Sequence, residues 1–469
     1  MARAPLSPLA RKGARRSVLW RIHLWAAVIA TPFTLVAALT GMLYVLTPQI
    51  EAFAYAALDH VSPTAAMAPL DASVAAARTA APAGWQLQSV LPPYAAGDTV
   101  KAVFEPPRAS AAGAPAQPGH AEHAGHAGHA GHSGHQLTAP APAPASTARV
   151  ARAAASALTV YVDPATARVV GSMRGEERFG HWAKRLHSRL LQGDGWRWMI
   201  ELAASAMMVM LISGLLLWWP ASVKQAVPRA GLRGRAAWKQ WHGTLGAALA
   251  VLTLVIVATG LTWSLYAGAQ IRSARDMLGQ ASPRPPLHLA SGVPVEPAPL
   301  SWQQAWDITR RQAPDVAVQL SAPREALGVW RISAADTSRP TRKFDLLLDN
   351  FSGAPLYYAG WQQQTLFGKA TAIGIPFHRG EFGWWNQALL LLFGAGVLFS
   401  LLSGWVMWGK RHRPGAAWLP PLAAGAWRSS AVPLAGTCVL GAWWMPLAAV
   451  AAGVVLVIEV VLARGHRAA

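Results

Sequence analysis

The sequence predicts a mainly α-helical membrane protein built twice over. A membrane helix, a small α+β module and a second membrane helix are followed by the same three parts, giving a four-helix core with a C-terminal apolar helix or re-entrant pair beyond it. Three observations predict this. The chain has 469 residues, 53% of them hydrophobic and 13% charged, with a mean hydropathy of +0.26, too apolar for a soluble protein and too polar for membrane helices alone. Five apolar runs, Trp20–Leu46, Trp198–Trp219, Trp241–Tyr266, Trp384–Trp408 and Val432–Leu462, each reach the ~20 helical residues that a hydrocarbon core demands. The third observation is an internal repeat.

The first run opens WRIHLWAAVIATPFTLVAALTGMLY, and the third runs WKQWHGTLGAALAVLTLVIVATGLTWSLY; His23 stands 17 residues before Thr40-Gly41, and the same interval separates His242 from Thr259-Gly260. The second and fourth runs match as LISGLLLWWP and LLSGWVMWGK, each preceded by a histidine and a Gly-Trp pair: His187 before Gly195-Trp196, His378 before Gly383-Trp384. That second pairing is the looser of the two.

Lysine and arginine set the orientation. The N-terminal arm (residues 1–19), the connector 220–240 and the segment 409–430 are basic, so all three are expected in the cytoplasm, the N-terminus with them. The spans then occupy 20–46, 197–219, 241–266 and 384–408, with 432–462 as a fifth span or re-entrant hairpin. The apolar stretch at 20–46 exceeds the ~7–15 residues of a signal-peptide core, which predicts an uncleaved anchor. The two long connectors, 47–196 and 267–377, face the other compartment, the periplasm in a Gram-negative bacterium. In each, a short helix (Ala72–Ala81, Trp302–Ala313) precedes a pair of strands joined by an Asp-x-x-Thr or Asp-x-x-Ser turn, in LTVYVDPATARVV (Leu158–Val170) and FDLLLDNFSGAPLYY (Phe344–Tyr358).

The formal charge of +20 is read as topology and affinity for anionic membrane lipid; no soluble basic domain collects it, so nucleic acid is not an expected partner. The single cysteine, Cys438, excludes an intrachain disulfide, covalent haem attachment through Cys-x-x-Cys-His and a cysteine-ligated iron–sulfur cluster. Neither a dinucleotide fingerprint nor a phosphate-binding loop is present, which leaves flavin and nicotinamide without support. Within the insertion 106–150, His120, His123, His126, His129, His132 and His135 recur every third residue amid Ala, Gly and Pro. That period lines them along one face of an extended chain, suited to weak capture of Cu, Zn, Ni or ferrous iron; the plain alternative is a low-complexity tether.

The His…Thr-Gly helices, the run His187-Ser-Arg-Leu-Leu-Gln-Gly-Asp-Gly-Trp, the Ser-Gly-x-x-x-Trp helix ends and the two Asp-x-x-[Thr/Ser] modules together resemble the PepSY-associated transmembrane family, over roughly residues 16–412. That family includes inner-membrane ferric-siderophore reductases. The resemblance implies two PepSY-like modules and one b-type haem near each membrane face, held by His23 with His242 and by His187 with His378. Neutral imidazole is a good ligand for haem iron, and a chain without usable cysteines is left with noncovalent binding. Taken singly, histidines at helix ends are ordinarily interfacial anchors; four in repeated register favour ligation. His181 is an alternative ligand or a supporting group for the His187 site, whereas His60, His288, His412 and His466 read as surface residues.

The expected function is a di-haem reductase of the bacterial inner membrane. Quinol or a separate reductase would donate electrons, and a periplasmic ferric siderophore, or another metal ion, would accept them, contributing to iron uptake. No side-chain acid or base is required, so no catalytic dyad is assigned. The rival is a haem-free membrane-anchored sensor or regulator whose modules bind a peptide, protease or metal. A metal transporter is disfavoured, because helices 1, 3 and 4 carry no Asp, Glu, Lys or Arg across their cores.

Overall fold

A computed structural model describes residues 8–63, 66–107, 156–220, 222, 226–286, 289–292, 298–411, 419 and 441–468. The chain opens with a long helix, α1 (Pro8–Val45), then α2 (Thr47–Ala54), α3 (Ala56–Asp59) and α4 (Leu70–Ala80). Strands β1 (Gln86–Leu91), β2 (Val100–Glu105), β3 (Leu158–Val162) and β4 (Val169–Arg174) follow, then α5 (Phe179–Arg189) and α6 (Trp198–Trp218). The remaining chain runs α7 (Gly234–Ala248), α8 (Ala250–Leu261), α9 (Ala267–Met277), α10 (Trp302–Gln312), β5 (Val318–Ser321), β6 (Val329–Ala334), β7 (Asp345–Asp349), β8 (Pro355–Ala359), α11 (Leu366–Arg379), α12 (Trp384–Gly409) and α13 (Pro446–Ala468).

Three stretches, Arg15–Val45, Asp194–Trp218 and Trp384–Gly409, are long and apolar enough to span a membrane, and a fourth is obtained if α7 and α8 count as one span bent by 57°. The sequence predicts that third span as a single helix over 241–266. Instead it breaks at Leu249 and ends at Leu261. No proline lies at the break; Leu249 fits against Gly396 of α12, where an added Cβ would stand 2.4 Å from the Leu249 side chain. Helix α1 also begins twelve residues before the expected Trp20. Leu216, Val251, Leu254, Leu392 and Leu402 are exposed, as side chains that face lipid must be.

Helix α1 packs against α6 and α12, and α7 packs against both α6 and α12. In the fifth apolar run, Pro446 stands at the first position of α13 rather than inside a helix, where its missing N–H costs nothing; residues 432–440 lie outside the described residues. Glu459 of α13 is buried, and one oxygen accepts from Arg21 Nε and Trp25 Nε1 of α1, both at 2.7 Å.

The strands form one antiparallel sheet in the order β4-β3-β2-β1-β5-β6-β7-β8. Two separate modules are expected from the sequence; the structure joins them edge to edge through β1 and β5. The register at this seam is Val90 opposite Leu320, supported by Gln319 donating to the Ser89 hydroxyl at 2.8 Å. The predicted turns form as expected. Asp163 accepts from Ala165 N and Thr166 Oγ1, and Asp349 accepts from Phe351 N and Ser352 N. The backbone bond from Ala165 and the Thr166 hydroxyl hold the Asp163 carboxyl below its usual range.

Helices α4 and α10 cover one face, burying Leu70, Val74, Trp302 and Trp306 against Phe104, Leu320, Trp330 and Leu348. Their N-termini cap each other. Asp71 accepts from Trp302 N and Gln303 N, while Gln303 Oε1 accepts from Leu70 N, filling donors that each helix start leaves open. The sheet is tied to the helices by Arg178, which donates to Glu51 and Asp59, with Lys101 on Asp59 at 2.7 Å.

Candidate functional site: two histidine-lined cavities

Four histidines face the space between the helices, each held in the same way. His23 of α1 meets Ser213 of α6 with Nδ1 3.0 Å from Oγ. His242 of α7 meets Ser403 of α12 at 2.8 Å. His187 of α5 meets Thr40 of α1 at 3.1 Å, and His378 of α11 meets Thr259 of α8 at 3.0 Å. The glycine after each hydroxyl residue lies beneath the ring. A Cβ on Gly214 or Gly41 would stand 3.1 Å from the Cε1 of His23 or His187, on Gly260 3.3 Å from His378, and on Gly404 3.8 Å from His242. The Thr-Gly and Ser-Gly pairs are thus beds for a histidine on a different helix. The sequence shows these pairs in repeated register but not what they hold.

The hydroxyls also settle which nitrogen carries the proton. Ser213 Oγ donates to Val209 O at 2.6 Å, Thr40 Oγ1 to Val36 O at 2.7 Å, Thr259 Oγ1 to Val255 O at 2.7 Å and Ser403 Oγ to Ser400 O at 3.0 Å. With its proton committed to its own helix, each hydroxyl accepts from the imidazole. His378 Nδ1 additionally lies 3.0 Å from the Ile256 carbonyl, which can only accept. The rings therefore carry the proton on Nδ1 and leave the Nε2 lone pair directed away from the supporting helix.

His23 and His242 face each other across a cavity of about 320 Å³, their ring centroids 6.2 Å apart and their planes at 88°. His187 and His378 line a second cavity of about 280 Å³. Burial, with His378 nearby, pushes His187 down to about 4, and burial likewise lowers His378. Met207 and Val397 line both cavities, so one layer of side chains separates them. Arg235, Lys239 and Arg411 also line the first cavity, and Lys184, Arg197 and Arg379 the second. Burial and the neighbouring Arg379, Arg197 and Arg189 hold Lys184 below the usual lysine range. Glu201, buried on the second wall, accepts from Tyr266 N and Ala267 N and so fixes the chain where the bent span ends. Neither this role nor the cavity cations were visible from the sequence.

His187 is followed by Leu190 and Leu191 at φ 50° and 63°, a left-handed conformation that costs a non-glycine residue about 1–2 kcal/mol each. The helix that carries His378 is likewise followed by a left-handed residue, but there it is a glycine, Gly380, at φ 77°. His181 shares α5 with His187 but lines neither cavity, and His60 is exposed beside Asp98 at 3.3 Å. Among the described residues no group of three or more His, Cys, Asp or Glu could hold a metal ion. His120, His123, His126, His129, His132, His135 and Cys438 lie outside the described residues.

The apolar spans, the sheet beyond them and the cavities between them define a multi-pass membrane protein with paired histidines in its interior. The chain belongs to the family described as the PepSY-associated TM region, which matches residues 20–411. None of the curated proteins matches the chain.

Proposed function

We propose that the protein is a b-type di-haem reductase of the bacterial inner membrane, with a duplicated four-helix core, a cytoplasmic N-terminus and a periplasmic sheet. It would pass electrons from quinol or a separate cytoplasmic-side reductase to a periplasmic ferric siderophore or other metal acceptor. The observation that carries this reading is the fixed tautomer of the four histidines, which leaves each Nε2 lone pair free. The residues fit the group. His23 and His242 present two neutral imidazoles across one cavity, their ring centres 6.2 Å apart, and neutral imidazole is a good ligand for haem iron.

His23 and His242 would hold one haem and His187 and His378 the other. Bound haem iron supplies reversible one-electron chemistry. The chain's own part is to orient the four rings through Ser213, Ser403, Thr40 and Thr259, and to clear a flat space beside them with the adjoining glycines. The layer of Met207 and Val397 keeps the two sites close enough to divide a bilayer-wide transfer into short steps. Arg15, Arg16, Arg235, Lys239, Lys410 and Arg411 cluster toward the His23 end, which supports a cytoplasmic placement for that face. The siderophore acceptor rests on the family resemblance.

The test is the reduced-minus-oxidised visible spectrum of the purified protein, with haem quantified per chain, for wild type and for His23→Ala, His242→Ala, His187→Ala and His378→Ala. Two b haems are expected, one lost with either His23 or His242 and the other with either His187 or His378. Haem-free protein from haem-replete cells overturns the reading and leaves the sheet as the functional part.

A further inference from the structure

Three cations in each cavity wall are unexplained by the paired imidazoles. Both walls are otherwise built largely of apolar side chains, and the cations stand at their margins, Arg197 half-buried and the other five exposed. Arg235 donates to the Met407 carbonyl at 3.3 Å and Arg411 lies over the Trp20 ring at 4.9 Å. Neither these two nor Lys239 makes an ion pair among the described residues. In the second cavity Arg379 donates to the Tyr44 hydroxyl and pairs with Glu381, while Lys184 and Arg197 make no ion pair among the described residues. The carboxylate on that wall, Glu201, is taken up by two backbone N–H groups.

Five of the six cations lie at or beside helix ends, and Lys184 stands in the middle of α5. Arg235 and Lys239 are in the first turns of α7 and Arg411 follows α12; Arg197 precedes α6, and Arg379 ends α11. The wall that the cavities share is the apolar pair Met207 and Val397. Each cavity is thus positive at its mouth and apolar toward the membrane centre, which suits a flat apolar ligand with acidic groups along one edge.

We propose that Arg235, Lys239 and Arg411 in the first cavity, and Lys184, Arg197 and Arg379 in the second, bind the two carboxylates carried on one edge of haem b. This rests on the reading of the cavities as haem sites. It fixes how each macrocycle is inserted: carboxylates toward the membrane surface, the apolar edge toward Met207. The two sites then present their apolar edges to each other, whereas an inverted ring would bury two carboxylates at mid-membrane.

The experiment uses the full chain, purified without haem and titrated with ferric haem b and with its dimethyl ester, in which both carboxylates are capped. Soret absorbance reports binding, and a His23→Ala background isolates the second cavity. Lys184→Met with Arg197→Met is expected to weaken haem b there about 10- to 100-fold, the loss of one or two charge-assisted bonds. Ester binding is expected to stay within about twofold, which also shows that the variant is folded. The charge-keeping pair Lys184→Arg with Arg197→Lys is expected to retain most of the haem affinity. Equal weakening of haem and ester, or no weakening of haem, overturns the carboxylate assignment. A wild-type chain that binds neither compound with a bis-imidazole spectrum overturns the haem reading itself, and the assignment with it.

Discussion

The glycine beneath each histidine offers a graded test, because the four clearances differ. An alanine at Gly214 would put its methyl 3.1 Å from His23 Cε1, while at Gly404, in the same cavity, the methyl would stand 3.8 Å from His242. Carbon atoms pack best at about 3.5–4.0 Å, so Gly404→Ala fits as it stands and Gly214→Ala requires His23 to retreat by about 0.4 Å. The ring can turn by that amount for less than about 1 kcal/mol, but the retreat also stretches the 3.0 Å bond to Ser213. A loss of about 0.5–1.5 kcal/mol, or roughly 2- to 12-fold in affinity for a ligand on that ring, follows from weakening one such hydrogen bond. The assay is haem titration of each variant, read as Soret absorbance and as the low-spin signal of the ferric site. Gly41→Ala, also at 3.1 Å, should resemble Gly214→Ala at the other cavity, with Gly260→Ala at 3.3 Å between the extremes. If Gly404→Ala is as damaging as Gly214→Ala, or if neither changes anything, the histidines are not seated on these glycines in the way described.

Ser213→Ala removes the acceptor of the His23 Nδ1 proton, and about 10- to 100-fold weaker haem binding at the first cavity is expected, the usual scale for losing a group that orients a metal ligand; Ser213→Thr should restore most of it. Glu459→Ala breaks a pair whose side chains are 7% and 10% exposed, and the solubilised protein is expected to lose about 3–5 kcal/mol of stability, read as a fall in melting temperature. Burial alone would raise Asp59, yet Lys101 and Arg178 outweigh it and hold the carboxyl below its ordinary value. Its contribution is therefore complete above the unfolded value near ~3.9 and disappears as pH falls through the lower folded value. Hydrogen exchange in α3 and β3 should rise as pH drops below about 4, and Asp59→Asn should remove that step after correction for intrinsic exchange rates.

Much of the fold was legible because a membrane imposes strong local rules. Apolar length marked the helices at α1, α6 and α12, and the acidic turn residues Asp163 and Asp349 announced their hairpins. The bend at Leu249 carried no proline to announce it; it depends on the notch at Gly396, on a different helix. The joining of β1 to β5 was equally hidden, since strand-edge pairing leaves no periodic trace in the segment between. The histidines were visible through repetition, but the role of Thr40 and Thr259 was not. The ring that each threonine holds comes from α5 or α11, 147 and 119 positions away along the chain, and no local pattern reports such a contact.

The histidine contacts also bear on how the molecule is made. His23 with Ser213 and His187 with Thr40 lie wholly within the first half of the chain, and His242 with Ser403 and His378 with Thr259 wholly within the second. The earlier half can therefore position its two rings as it leaves the ribosome, before any of the later half exists. Each cavity nevertheless needs one ring from either half, so anything that bridges a pair fastens together two parts made at different times, and its binding free energy adds to the cohesion of the assembled protein.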